Sequence, residues 1–249
     1  MNRTLLATLG LCALCGLVSL PARAGQFSVS PMKVELGERT KSVLVTLRNT
    51  GTEATRFQAS VFRWDQSAES DMQLAPTDDL LVYPTLLTLA PGEARKVRIG
   101  TTKGPGPTES AYRVFFEELP PLEEDGSAVV RMLTRVSIPA FVGVKRPSAT
   151  ATVTGLALDD GVAQVDLTNE GNTHLKVEQV EVSALGAGGV AIATASARGW
   201  YLLAGRERLF DIELPEHDCT AVRRLTALVV TDEGEWTANE AVDPGACRR

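Results

Sequence analysis

Hydrophobic and polar residues alternate with a period of two through most of the chain, in short runs rich in Val, Thr, Leu and Phe. Asn-Thr-Gly, Ala-Pro-Gly, Gly-Pro-Gly-Pro, Glu-Asp-Gly, Asp-Asp-Gly and Asn-Glu-Gly break these runs every ten residues or so, and almost nothing follows the 3.6-residue period of a helix. Successive side chains of a strand point to opposite faces, so each run of one apolar parity offers one face to a core. Short strands at this spacing predict antiparallel sandwiches and an all-β fold.

One pattern occurs twice. Val45-Thr-Leu47-Arg-Asn49-Thr-Gly51 returns as Val165-Asp-Leu167-Thr-Asn169-Glu-Gly171, each time with an alternating run before and after it. Val and Leu share a face in both copies, and Asn-x-Gly supplies residues that tolerate positive φ, so each copy predicts a hairpin turn. Two copies predict two sandwiches of one type. The boundary falls at Lys145-Arg146-Pro147-Ser148, between a strand-like run over 136–144 and a new alternation over 150–158. Pro147 fixes φ and removes a ladder donor, so a strand cannot run through it. The small-residue tract 184–197 carries three glycines and predicts a loop and a short strand rather than a helix.

The first residues follow a different pattern. Arg3, the apolar run 5–20 and Ala22-Arg23-Ala24 match the three regions of a secretory signal peptide, and the run is shorter than the ~20 residues of a spanning helix. The expected organisation is a signal peptide over 1–24, a first domain over 25–146 and a second over 147–249. The mature chain is expected to begin near Gly25, exported and without stable membrane insertion. Loss of Arg3 and Arg23 takes 25 basic residues to 23 against 31 acidic ones, and the net charge from −6 to −8. An acidic chain without a dense basic run is a poor ligand for nucleic acid. Cys219 and Cys247 are the pair left after the leader is removed, and in an oxidising compartment they predict a disulfide worth about 3 to 4 kcal/mol.

Candidate chemistry is sparse. His174 and His217 both sit in turn-like contexts and are expected to be exposed. There is no Gly-x-Ser-x-Gly elbow, no P-loop, and no dinucleotide spacing at Gly186-Ala187-Gly188-Gly189. Glu117-Glu118 and Glu123-Glu124-Asp125 are expected to be solvated at turns or strand ends. Trp64, Trp200 and Trp236 are too scattered for a sugar platform and are expected in cores. No catalytic residue, metal site or cofactor is expected, and binding is the activity left.

The run from Gly126 to Ser137 sharpens this. Ala128, Val130, Met132 and Thr134 share one face, Val129, Arg131, Leu133 and Arg135 the other, so neither face is simply wet. Such a run is either an ordinary last strand of the first sandwich or an edge strand lent to a partner.

Leu81-Val-Tyr-Pro-Thr-Leu-Leu-Thr-Leu-Ala-Pro-Gly-Glu-Ala-Arg-Lys-Val-Arg-Ile99 and Ala111-Tyr-Arg-Val-Phe-Phe-Glu-Glu-Leu-Pro-Pro121 resemble the periplasmic assembly chaperones of the chaperone–usher pilus pathway, the PapD-like family. The resemblance runs through residues 26 to 146 and is looser beyond. Val61-Phe-Arg-Trp-Asp-Gln66 and the short loop before Gly126 are most similar to the archaic, Csu-like branch. The resemblance implies two immunoglobulin-like β-sandwich domains in a boomerang, working without ATP or metal. Its partners would be pilus or fimbrial subunits lacking one strand, complemented by the last strand of the first domain until an outer-membrane usher exchanges it. Carried over, the lent face is Ala128, Val130 and Met132. The subunit's terminal carboxylate would be anchored by Lys33 and by Arg135, which stands in for the usual lysine because Ser137 occupies that position. The competing readings are a secreted structural or adhesive protein of two such domains and, more remotely, a carbohydrate-active module.

Overall fold

The computed structural model describes residues 27–67, 70–122 and 132–242. The strands are β1 (Phe27–Ser30), β2 (Val34–Leu36), β3 (Ser42–Asn49), β4 (Thr55–Ser67), β5 (Ser70–Pro76), β6 (Leu80–Tyr83), β7 (Leu86–Leu89), β8 (Ala94–Thr101), β9 (Ser110–Leu119) and β10 (Arg135–Val142). After 143–150 come β11 (Ala151–Asp159), β12 (Val162–Asn169), β13 (Leu175–Leu185), β14 (Ala191–Arg198), β15 (Tyr201–Leu202), β16 (Glu207–Glu213), β17 (Arg224–Thr231) and β18 (Gly234–Ala241). The tract 184–197 forms the end of β13, a short 3-10 turn and β14, as its glycines and alternation predict.

Two immunoglobulin-like sandwiches result. In the first, the sheet β1-β3-β8-β6 packs on β2-β10-β9-β4-β5, with β7 attached to β4. In the second, β11-β12-β16 packs on β14-β13-β17-β18, with β15 attached to β13. The inward parity of each strand fills its core: Val45, Leu47, Phe57, Val97, Ile99, Tyr112, Phe116 and Ile138 in the first domain, Val165, Leu167, Leu175, Val180, Val182 and Leu225 in the second. Fully burying a side chain of this kind contributes about 1.5 to 3 kcal/mol.

The repeated motif does not make hairpins. β3 lies in the opposite sheet from β4, and β12 in the opposite sheet from β13, so each Asn-x-Gly carries the chain from one layer of its sandwich to the other. Neither Gly51 nor Gly171 has positive φ. The asparagines are the working residues, and both are wholly buried. Asn49 Nδ2 donates to the Glu53 and Leu89 carbonyls at 2.7 and 3.0 Å, and its Oδ1 accepts from the Gly51 N–H at 2.8 Å. Asn169 repeats the set with Thr173, Leu202 and Gly171 at 2.8, 3.0 and 2.9 Å. Glycine is required at 171 by contact, since an added Cβ would lie 2.3 Å from the Ser148 carbonyl.

Candidate functional site

The two neighbours of β10 differ in length. β9 pairs with it from Arg135↔Glu117 to Val142↔Ser110, whereas the parallel neighbour β2 covers only Ala140↔Val34 to Val142↔Leu36. Among the described residues, nothing pairs with the outer edge over 135–139. The Glu118 N–H donates to the Thr134 carbonyl at 3.0 Å, so even-numbered residues turn their backbone groups to β9 and odd-numbered ones turn theirs outward. Gly143 keeps the same phase, donating to the Leu36 carbonyl on the far side. Pro139 is therefore placed with its missing donor on the open side, where a sheet tolerates proline. The edge presents the N–H and carbonyl groups of Arg135 and Ser137, while the phase of the β2 pairing directs the Pro139 carbonyl to Val34.

Side-chain parity separates two surfaces. Ile138, Ala140 and Val142 enter the first core, with Val136 packed against it. Arg135, Ser137, Pro139 and Phe141 face away, aligned with Glu117, Phe115, Arg113 and Ala111 of β9. Along β9, Tyr112 and Arg113 consequently point in opposite directions. Tyr112 enters the core with its hydroxyl donating to Asp79 Oδ2 at 2.9 Å, and Arg113 enters the space between the domains.

The second domain covers the Phe141 end of this outward face. Trp64, Ala111, Phe141 and Leu203 form a buried cluster with Trp200 and Tyr201 packed against it. Gln66 joins the domains through both ends of its amide, Nε2 donating to the Tyr201 carbonyl and Oε1 accepting from the Leu203 N–H, each at 2.8 Å. Arg206 pairs with both oxygens of Asp65, and Arg208 with Asp71.

Arg113 lies at this junction and is only 4% exposed. Its guanidinium carbon is 4.1 Å from the Trp64 ring centroid and 4.6 Å from that of Trp200, within cation–π range of both. Nε and Nη2 have no hydrogen-bond partner among the described residues. Burial pulls its pKa down to about 10, which leaves it a cation at neutral pH. An unpaired buried cation costs several kcal/mol, and a fork of two guanidinium N–H groups matches the two oxygens of a carboxylate.

The pili and flagellar-assembly chaperone family, PapD N-terminal domain, matches residues 26–151, half of the chain. The chain belongs to this family. No curated protein sequence matches the chaperone. Among solved structures it is similar to a chain of the CsuC–CsuE chaperone–tip adhesion subunit pre-assembly complex from archaic Csu pili of Acinetobacter baumannii, at 19% identity and a TM-score of 0.56, covering 88% of this chain and 98% of that one. The YadV chaperone matches at 14% identity and 0.57, covering 87% and 100%. The Salmonella enterica SafA pilin–SafB chaperone complex matches at 17% and 0.54, covering 88% and 97%. At such identities the likeness is one of fold.

Several expected site residues of the chaperone lie elsewhere than their sequence context implies. Lys33 directly precedes β2, and the register sets it beside Pro139 in the row of Arg113. Its ammonium pairs with Glu35 at 2.6 Å, and that hydrogen bond raises its pKa. Arg135 is four residues along β10 from Pro139, about 13 Å at strand rise. It covers the Phe115 ring at 4.0 Å and pairs with Glu117 at 3.5 Å. Lys33 and Arg135 are thus separate, each with its own carboxylate, and Arg113 is the cation that shares a row with Lys33. Of the lent face, Met132 is 89% exposed, whereas Ala128 and Val130 lie outside the described residues. Cys219 is disulfide-bonded; Cys247, like the leader 1–24, lies outside them.

Two expectations are corrected. His174 is no exposed turn residue: its side chain is 11% exposed, its ring stacks on Phe141 at 3.6 Å, and Nδ1 lies 2.6 Å from Glu109 Oε2 of the first domain. Glu118 is buried rather than solvated, and its Oε2 accepts from the Thr134 N–H at the entry to β10. Trp64 lies in a core as expected, and Trp200 of the other domain packs against it with ring centroids 5.2 Å apart. The Tyr112-Arg113 motif marked the strand, but nothing near it in sequence signals the tryptophan from the other domain.

Proposed function

We propose that the protein is an exported periplasmic chaperone that captures pilus subunits by lending them the open edge of β10 and the run before it, and then delivers them to an outer-membrane usher. The carrying observation is where the edge stops. A strand laid beside 135–139 meets β2 at Ala140, so its end falls beside Pro139, next to Lys33 and Arg113. Two cations at that stop favour a strand that ends there in a carboxylate, and hence one running parallel to β10. Arg135 flanks the other end of the edge. Backbone bonds from the edge supply affinity, and Ala128, Val130 and Met132 on the lent run fill the partner's groove. Family membership supports the periplasmic setting, and among the described residues no helix is long and apolar enough to cross a membrane.

Co-purification from periplasm tests this. Wild-type protein should carry pilin-type subunits one to one, and a Val130→Ser/Met132→Ser double variant should lose them while remaining folded. Normal capture by the double variant would remove this face from the site. Lys33→Ala and Arg113→Ala should each weaken capture about 10-fold or more, the worth of a charge-assisted bond. Amidating the subunit's C-terminus should make both substitutions nearly silent.

A further inference from the structure

Arg113 has the donors for a carboxylate but no open path to them. Nε and Nη2 are buried, and the indoles of Trp64 and Trp200 lie side by side against the guanidinium, their ring centroids 4.1 and 4.6 Å from its carbon and 5.2 Å from each other. These covers are held differently. Trp64 is 2% exposed and anchored, its Nε1 donating to the Asp71 carbonyl at 2.9 Å, with Phe141 and Tyr201 against its ring. Trp200 is half-buried, its indole N–H makes no hydrogen bond among the described residues, and it stands on the two-residue link between β14 and β15. The backbone of that link is pinned. Val177 N–H donates to the Trp200 carbonyl at 2.8 Å, and an added Cβ on Gly199 would lie 2.4 Å from Val177. Motion is left to the Trp200 side chain.

We propose that Trp200 is a second-domain cover over Arg113, and that a carboxylate arriving at the end of the β10 edge displaces its indole to reach Nε and Nη2. The inference rests on the carboxylate reading of the site and adds its regulation. Without a ligand, the indole shields the cation and substitutes for a counter-ion. With one, the guanidinium exchanges a π face for two charge-assisted hydrogen bonds, and Trp200 is released to solvent at the domain junction. Capture at the first domain is thereby reported to the second. Lys33, exposed and in the same row, offers the first attraction for the anion, and Arg113 takes over once the cover has moved.

The test uses mature protein labelled with 5-fluorotryptophan, whose three fluorine signals are assigned by single Trp→Phe substitutions. The probe is a ten-residue alternating Val/Thr peptide with a free C-terminal carboxylate, compared with its C-terminal amide, and affinities are measured by calorimetry. The free acid should bind at least 10-fold more tightly than the amide and move the Trp200 signal towards its solvent-exposed position while Trp236 stays in place. Arg113→Lys, checked for unchanged thermal unfolding, should abolish both the selectivity and the Trp200 shift. Acid-selective binding with an unmoved Trp200 signal would overturn the cover and leave the carboxylate site standing. Equal affinity for acid and amide, or no binding of either at millimolar peptide, would overturn the carboxylate site and the cover together.

Discussion

The corners at Asn49 and Asn169 are built from the same hydrogen bonds and put to different uses. In each, the asparagine closes the end of a strand onto a turn in the facing layer, 90–93 in the first domain and 203–206 in the second. Its own backbone completes the closure: Asn49 exchanges bonds with Gly92 and Glu93, and Asn169 with Gly205 and Arg206. Gly92 and Gly205 both have positive φ, at 75° and 67°, where a side chain would be strained. The outward parts then diverge. Glu93 folds back onto the Ala90 N–H and Arg95, which keeps the first corner within its own domain. The second corner faces its neighbour: the Leu203 N–H donates to Gln66, and Arg206 grips Asp65. One internal device therefore tolerates any outer surface, and in the second domain that surface is the joint.

The comparison breaks first at the covalent level, since Cys219 of the second sandwich is disulfide-bonded and the first sandwich contains no cysteine. Cys219→Ser should lower the stability of the second domain by about 3 to 4 kcal/mol in urea unfolding and leave the first unchanged. Mass spectrometry of the non-reduced protein should show Cys219 linked to Cys247, and two free thiols would remove the staple from the account. Next come the asparagines. Asn49→Ala and Asn169→Ala each strand one buried and one part-buried carbonyl and should each cost about 2 to 3 kcal/mol, confined to the domain that carries the change. Equal effects of either substitution on both domains would mean that the corners are not independent.

Gln66→Ala tests the joint itself. It leaves both corners closed but removes two bonds between the domains, so the loss of about 1 to 2 kcal/mol should appear as a separation of the two unfolding transitions. The smallest effect belongs to Asp65. Desolvation pushes its carboxyl up, but the Arg206 guanidinium and the Gln66 N–H outweigh this and hold its pKa below the ordinary aspartate value. A carboxyl with a depressed folded pKa contributes stability above its unfolded pKa and loses it as pH falls through the folded one. Asp65→Asn should accordingly flatten part of the acid limb below about pH 4, with less than about 1 kcal/mol lost at pH 7 because both partners are 44% exposed.

Alternation and turn residues made the two sandwiches readable from the sequence, because a strand's period is a local property. The repeated Asn-x-Gly was visible as well, yet its meaning was not. Its amide bonds to Leu89 and Leu202, which are 40 and 33 residues away, and a local rule for such a turn describes a hairpin just as well. The site divides along the same line. Arg113 stood in a recognisable Tyr-Arg strand and Lys33 at a recognisable position, whereas the cover from Trp200 and the stacking of His174 on Phe141 arise only once the second domain has docked. Arg135 looked like a partner for Lys33 because both are basic and near the edge; the register of β2 on β10 separates them.

Pro139 bears on how such a protein survives at high concentration before it meets a partner. An unpaired edge is a template on which identical molecules stack, and growth of that kind needs donors repeated in step along the strand. Here the ladder breaks at its third rung. A second copy laid against 135–139 also brings Arg135 and Lys33 towards their own duplicates, so charge repulsion adds to the missing hydrogen bond. The residue beside which we propose that a partner's strand ends thus makes the edge a poor seed for fibres, so that the same surface would serve both capture and solubility.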